Sequence, residues 1–336
     1  MKFLFLLSGL HPELPLAELK AVLSIKTRFK VVKKDKRAVI IEIKQKEVIK
    51  NLLERLTLTY GVFEFLGCCK INDLLKTVKQ LKYDFNIPFR IRVHSLGFKK
   101  DSKELEKKIA NIIWKKIKEC GKKPKVDLEN PKTSFEAFLT ENKAYFGVKI
   151  AELDRKQFFK RSPKKRPFIR PVTMDPRIAR VMVNLARTKK GEKILDPFCG
   201  TGGILIEAGL IGMKIYGIDL DLEMVNGCKK NLNYFGIKGK IIQGDARELD
   251  KIFKENYFDG IITDPPYGIA ASLKGSERMD LYEKSLNTME KVLKPKKYLV
   301  IVTPKYINLK TKMQLIEIYE EKIHRSLTRK IWVFKK

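Results

Sequence analysis

The sequence predicts an α/β protein, and three observations carry that expectation. Short apolar strands alternate with amphipathic helices along all 336 residues. From Lys193 onward the alternation is of the β-α-β kind that builds a parallel, doubly wound sheet. Two strands there end in turns rich in glycine or proline, D-P-F-C-G-T-G-G at 196–203 and D-P-P-Y-G at 264–268.

Taken in order, residues 1–66 read as a first domain. The expected elements are strand Lys2–Ser8, a helix from Pro15 to Ser24, strands Arg28–Lys33 and Val39–Ile43, helix Glu47–Arg55 and strand Thr59–Phe65. That β-α-β-β-α-β series is a ferredoxin-like unit. Residues 67–152 form a second αβ set. It holds a helix from Ile71 to Leu81, strand Phe89–Ser95, a long helix Ser102–Glu119, and strands near Lys125–Leu128, Ser134–Thr140 and Ala144–Ile150. Arg90, Arg92 and His94 share one strand face, and the long helix is lysine-rich.

Residues 153–174 are a linker in which Arg155, Lys156, Lys160, Arg161, Lys164, Lys165, Arg166 and Arg170 are punctuated by Pro163, Pro167 and Pro171. The prolines are expected to hold it extended, laying a row of cations along a groove. In residues 175–336 a helix starts at Pro176 with Asp175 as its cap. Strands Ile194–Leu195, Lys214–Ile218, Lys240–Ile242, Gly260–Thr263 and Tyr298–Val302 follow, with helices at Ile204–Ile211, Leu222–Phe235 and Met279–Leu293 between them. Leu315–Ile323 and Lys330–Phe334 close the sheet edge as an antiparallel pair.

Lys and Arg number 71 against 39 Asp and Glu, a net charge of +32. Such an excess on a folded chain implies a polyanionic partner, most simply nucleic acid. Anionic membrane is disfavoured, because no apolar run reaches spanning length and no lipidation signal is present. The start, MKFLFLLSGL, lacks an A-x-A cleavage site and reads as a strand. Five cysteines without a C-x-x-C pair and only three histidines suggest free thiols in a reducing cytoplasm, and no metal site.

The chemistry centres on Asp264-Pro265-Pro266-Tyr267. Two prolines lack N–H groups, so they cannot extend the sheet and instead make a rigid turn at its carboxyl end. Asp264 offers a carboxylate, Pro265 a carbonyl oxygen and Tyr267 a flat ring, together a receptor for a planar group bearing an exocyclic NH2, such as a nucleobase. The glycines after Asp196 let the backbone approach a ligand at a helix N-terminus, but their spacing is not that of the dinucleotide fingerprint. Asp219 ends the next strand about 20 residues on, where an acid accepts hydrogen bonds from ribose hydroxyls. Asp245-Ala246 ends the third strand, within reach of an adenine edge. Singly, each acid could be a turn former or a helix cap; four in register at one sheet edge are poorly explained that way.

The combination of D-P-F-C-G-T-G-G, Asp219, G-D-A and D-P-P-Y-G resembles class I S-adenosylmethionine-dependent amino methyltransferases with a Rossmann-like fold. The whole chain, with R-x-P-x-x-R-P at 161–167 and H-R-S-L-T-R at 324–329, resembles the archaeal tRNA guanine-10 N2-methyltransferases that carry a THUMP RNA-binding domain. The resemblance implies methylation, then dimethylation, of the exocyclic N2 of guanosine 10 in tRNA, with S-adenosylmethionine as cofactor. Asp264, Pro265, Pro266 and Tyr267 would be catalytic. Asp196, Phe198, Gly200, Thr201, Gly202, Asp219, Leu220, Asp245 and Ala246 would bind the cofactor. Arg161, Lys164, Lys165, Arg166, Arg325 and Arg329 would contact RNA. A small zinc-binding activator protein, used by related enzymes, is left open. D-P-P-Y also serves adenine N6, so an adenine-N6 nucleic-acid methyltransferase is one rival and a methyltransferase for guanosine 6 of tRNA another. A non-catalytic RNA-binding protein or chaperone is the rival outside enzymes, and the four intact strand-end acids argue against it.

Overall fold

The structure is a computed structural model that describes residues 1–49, 52–97, 102–171, 173–267, 275–324 and 327–336. It divides into two compact units. The first holds Met1–Leu10, Thr27–Leu53 and Thr59–Leu153; the second holds His11–Lys26, Glu54–Leu58 and Asp154–Lys336.

In chain order the first half contains β1 (Lys2–Leu7), α1 (Leu14–Lys26), β2 (Phe29–Asp35), β3 (Ala38–Ile43), β4 (Thr59–Lys70), α2 (Leu74–Gln80), β5 (Phe89–Ser95), α3 (Ser102–Glu119), β6 (Thr133–Leu139) and β7 (Lys143–Glu152). Within the first unit these strands make one sheet of order β2-β3-β1-β4-β7-β6-β5. The run β2-β3-β1-β4 has the order of a split β-α-β unit, as the sequence suggests. A boundary at residue 66 is not seen, because β4 runs through it and pairs with β1 on one side and β7 on the other. The helix α1 counts with the second unit instead. Ile109, Ile113 and Ile117 of α3, one helical face, pack on Phe89, Ile91 and Val93 of β5, and the lysines of α3 take the opposite face.

Two expected elements are shorter. The helix expected over Glu47–Arg55 is a 3-10 turn at Lys46–Ile49 followed by turns, and residues 50–51 lie outside the described residues. Leu52, Leu53, Leu56 and Leu58 are all buried. The strand near Lys125–Leu128 is reduced to one bridge, Phe89 to Val126.

The second unit contains α4 (Lys156–Lys160), α5 (Pro176–Leu185), β8 (Lys193–Asp196), α6 (Gly203–Leu210), β9 (Lys214–Asp219), α7 (Leu222–Tyr234), β10 (Gly239–Gln243), α8 (Leu249–Ile252), β11 (Phe258–Thr263), α9 (Gly275–Val292), β12 (Leu293–Pro304), β13 (Gln314–His324) and β14 (Leu327–Lys335). Its sheet has the order β10-β9-β8-β11-β12-β14-β13, with β8 to β12 parallel and β14 antiparallel to both neighbours. The central strands are covered on both faces, so β12 alternates between two cores: Val300 and Val302 face one, Leu299 and Ile301 the other. From β8 the chain winds outward through β9 and β10, then returns to add β11 on the other side. Parallel sheets bind ligands at the strand carboxyl ends where the winding reverses, here between β8 and β11. No helix among the described residues is long and apolar enough to cross a membrane.

The segment 153–174 is not an extended row of cations. It folds into α4 and a 3-10 turn at Pro163–Lys165, and it is tied down at Phe168. Asn231 of α7 accepts from Phe168 N (2.9 Å) and donates to Phe168 O (2.9 Å). The Phe168 ring lies where a Cβ on Gly227 would stand, so only glycine fits there.

Candidate active site

The carboxyl edge of the sheet carries the strand-end acids in the spatial order Asp245, Asp219, Asp196, Asp264. The structure gives them different tasks. Asp196 is 2% exposed, and its Oδ1 accepts from Phe198 N (3.2 Å) and Thr263 Oγ1 (2.7 Å). Burial pushes its carboxyl up to about 7, helped by the negative charges of Asp264 and Asp219. It therefore clamps the glycine loop to the end of β11 from below and presents no surface to a ligand, a correction to its sequence-based place among cofactor contacts.

Above that clamp, Gly200 (φ +48°) and Gly202 (φ +83°) take left-handed conformations that other residues rarely adopt. A Cβ on Gly202 would lie 2.7 Å from Cys228 Sγ, whereas the space beside Gly200 is open. The Thr201 side chain is buried, and its carbonyl accepts from Asn231 Nδ2 (2.9 Å). Phe198 packs partly into the core. Asp219, half-buried, accepts from Gly200 N on Oδ2 (2.8 Å) and from Asp221 N on Oδ1 (3.1 Å). Burial raises its carboxyl, and these two N–H groups oppose the rise. Leu220 beside it is exposed, an apolar wall for a flat ring. Asp245 accepts from Arg247 N (2.8 Å) and is gripped by the Arg247 guanidinium, with Nε 2.9 Å from Oδ2; Ala246 is buried. Open backbone at Gly200, an acid at the second strand end and an exposed leucine next to it are groups that could hold a nucleoside.

Beyond Thr263 the chain turns at Pro265 and Pro266, and Tyr267 comes back towards Asp264. The Tyr267 hydroxyl donates to Asp264 Oδ1 (2.6 Å). Burial raises the Tyr267 phenol, and the adjacent Asp264 charge adds to it, so it stays protonated as a donor. On the other oxygen, Arg329 Nη1 stands 3.4 Å from Asp264 Oδ2 and 3.4 Å from Tyr267 Oη. Its Nε donates to Glu321 Oε2 (2.8 Å), and Glu321 is the cross-strand partner of Arg329 in the β13–β14 hairpin. Burial pushes the Asp264 carboxyl up, and Arg329 and the Tyr267 hydrogen bond pull it back. Gly268 lies outside the described residues.

The six cations expected at RNA separate. Lys164 and Lys165 are exposed, and Lys165 Nζ lies 4.3 Å from the ring centre of Phe159, itself 69% exposed. Arg161 (8% exposed) is a core residue: Nε and Nη2 donate to Glu207 at 2.7 and 3.2 Å, and Arg180 Nη2 reaches the same carboxylate at 2.9 Å. Arg166 (4% exposed) donates from Nε to Arg161 O. Arg329 (8% exposed) faces the Asp264 carboxylate. These three are too buried to meet a phosphate backbone, and each is a correction. Arg325 lies outside the described residues. Sequence does not single out Glu321 or Asn231; the signal for Glu321 is the expected pairing of Leu315–Ile323 with Lys330–Phe334, and β14 begins earlier, at Leu327, which sets Arg329 opposite Glu321.

Two family models match. The one described as "RMKL-like, methyltransferase domain" covers residues 163–331, and the THUMP domain covers 71–149. A curated relative from Methanothermobacter thermautotrophicus, named tRNA (guanine(10)-N2)-dimethyltransferase, is 36% identical over 100% of both chains. The chain belongs to this family. Another member, from Methanocaldococcus jannaschii, is 36% identical over 99% of each chain. The crystal structure of TrmN from Thermus thermophilus covers 100% of both chains with a TM-score of 0.58 at 20% identity, a likeness of fold. The family chain thus has a THUMP domain followed by a methyltransferase domain, and the methyltransferase match starts at Pro163, inside the folded segment that precedes α5.

Proposed function

We propose that the chain transfers methyl groups from S-adenosylmethionine to the exocyclic N2 of guanosine 10 in tRNA, adding one and then a second. The full-length match to relatives named for that reaction carries the reading. The Asp264–Tyr267 receptor, one strand away from the glycine crevice, supplies chemistry that suits it.

When bound, S-adenosylmethionine supplies an electrophilic methyl group. Gly200 to Gly202 would receive its amino-acid end by backbone, Asp219 its ribose, and Leu220 and Asp245 its adenine. Asp264, held by Tyr267 and Arg329, accepts an N–H of the guanine amine and aims the nitrogen lone pair away from the ring. The Pro265 carbonyl accepts the other N–H, and the Tyr267 ring packs on the base. Alignment is the main task and contributes about 7–11 kcal/mol in favourable cases. Drawing the base out of its stack costs a few kcal/mol, offset by backbone contacts elsewhere. Asp264 need not be a strong base, because the amine becomes acidic as it is methylated; its raised pKa suits it to take that proton afterwards.

The THUMP domain, with exposed Lys164, Lys165 and Phe159 in the second unit, would grip tRNA. Phosphate contacts position and the receptor selects an amine, so the choice of one guanosine comes from the grip. No activator subunit is part of the proposal. Incubating the protein with labelled donor and, separately, tRNA, DNA and mRNA, then digesting to nucleosides for mass analysis, tests it. N2-methylguanosine and N2,N2-dimethylguanosine from tRNA alone are expected. N6-methyladenosine from any of the three would overturn it in favour of the adenine reading.

A further inference from the structure

We propose that Arg329, oriented by Glu321, is a positioning residue that keeps Asp264 in the acceptor state on which amine recognition depends. The inference deepens the methyl-transfer reading and rests on it.

Register in the β13–β14 hairpin sets Glu321 directly across from Arg329, so Nε of the guanidinium is committed to Glu321 Oε2 (2.8 Å) and the planar fork cannot rotate away. The same strand pairs Arg329 with Pro304 of β12, the central neighbour of β11. The fork therefore presents Nη1 to the loop after β11, 3.4 Å from both Asp264 Oδ2 and Tyr267 Oη.

Each Asp264 oxygen then has one fixed partner, Tyr267 Oη on Oδ1 and Arg329 on Oδ2. A carboxylate has about four lone-pair sites, so both oxygens can still accept an incoming N–H. A neutral carboxyl would instead turn an O–H donor towards an amine that is itself a donor. The charges facing Asp264 make that state a real competitor. Glu321 on β13 is negative, Asp196 on β8 is a buried acid whose own carboxyl is raised to about 7, Tyr267 is a neutral donor, and Arg329 is the cation that faces the carboxylate among the described residues. An opposite charge at this range typically lowers a carboxyl pKa by about 1–3 units, so its removal leaves a half-buried acid beside two others. The Arg329 guanidinium is not available to RNA, being 8% exposed and held through Nε and Nη1.

The test compares Arg329→Met, Arg329→Lys and Glu321→Gln in the full-length protein, by single-turnover methylation of tRNA from pH 5.5 to 9. For Arg329→Met the acid limb of the profile should move up by about one unit or more, with activity recovering as pH rises. Arg329→Lys should restore much of the shift, and Glu321→Gln should show a smaller loss. Affinities for S-adenosylhomocysteine and tRNA should match wild type. A second readout does not need turnover: the carbon-13 carboxyl resonance of Asp264 should titrate at higher pH in Arg329→Met than in wild type. If wild type transfers no methyl to tRNA, the function proposed above fails, while the resonance still decides the role of Arg329. An unshifted pH profile and resonance, or a loss of tRNA affinity that parallels the loss of rate, would overturn the inference. Should Arg329→Met fail to fold, the neutral Arg329→Gln decides it, with an acid limb moved up for the inference and an unshifted profile against.

Discussion

Tyr267 Oη lies 2.6 Å from Asp264 Oδ1, closing a four-residue turn whose two prolines have fixed φ. A hydrogen bond to a charged group contributes about 1.5–3 kcal/mol. Tyr267→Phe keeps the ring and loses that bond, so turnover should fall by about 10- to 100-fold. Donor affinity should stay unchanged. A wild-type rate would mean that the hydroxyl does not hold the carboxylate in the reacting complex.

Asp219 accepts from the Gly200 N–H, and the proposed function assigns it the ribose hydroxyls of the donor. Asp219→Ala should therefore weaken S-adenosylhomocysteine by at least about tenfold in calorimetry, the scale of a missing charge-assisted hydrogen bond. Affinity for tRNA should not change. Equal donor affinity in mutant and wild type would reduce Asp219 to a turn residue.

Arg161 and Lys165 stand four residues apart and should fail in different ways. Arg161→Ala leaves Glu207 with one fewer cation in the core and should destabilise the fold by about 3–5 kcal/mol, read by urea denaturation. Charge reversal at Lys164 and Lys165 should leave stability nearly intact and weaken tRNA binding. The log-log salt slope should flatten by about one unit for each phosphate that is no longer neutralised. A stable Arg161→Ala protein with weakened tRNA binding would return Arg161 to the RNA surface.

Glu18 is a buried carboxyl on α1 that accepts from Thr57 N, Leu58 N and Asn184 Nδ2, and burial raises its pKa from 4.5 to about 7. The folded state then holds a proton that the unfolded chain has released. The stability it contributes is complete below pH 4.5 and is lost as pH rises through about 7, at up to about 1.4 kcal/mol per pH unit. Asp196 has the same sign. Glu18→Gln should accordingly show a smaller fall in unfolding free energy between pH 5 and pH 8 than wild type. An unchanged fall would mean that Glu18 is already ionised in the fold.

Local chemistry was legible in the sequence. Asp175 before Pro176 is a helix start in sequence, and in the structure its side chain accepts from Arg177 N. The β-α-β rhythm after Lys193 announced the parallel sheet, and the strand-end acids fell along one edge because alternate winding leaves every parallel strand pointing the same way. Long-range pairing was not legible. The cation density of 153–174 says nothing about which guanidiniums are swallowed, since Arg161 finds Glu207 46 residues away. H-R-S-L-T-R looked like a basic loop; hairpin register turned its last arginine inward to Glu321 and Asp264. The turn at 54–58 likewise depends on Glu18 of α1 capping Thr57 and Leu58, an interaction that helical periodicity does not encode.

One amine on the substrate tests the proposed chemistry most directly. A tRNA carrying guanosine at position 10 should be compared with the same tRNA carrying inosine there, which lacks the exocyclic N2 group and keeps the rest of the purine. With labelled donor the guanosine tRNA should gain methyl groups at that nucleotide, and the inosine tRNA should bind with similar affinity and gain none. Equal labelling of the two, or labelling at an adenine, would contradict the assignment of Asp264 and Tyr267 to a guanine N2 receptor.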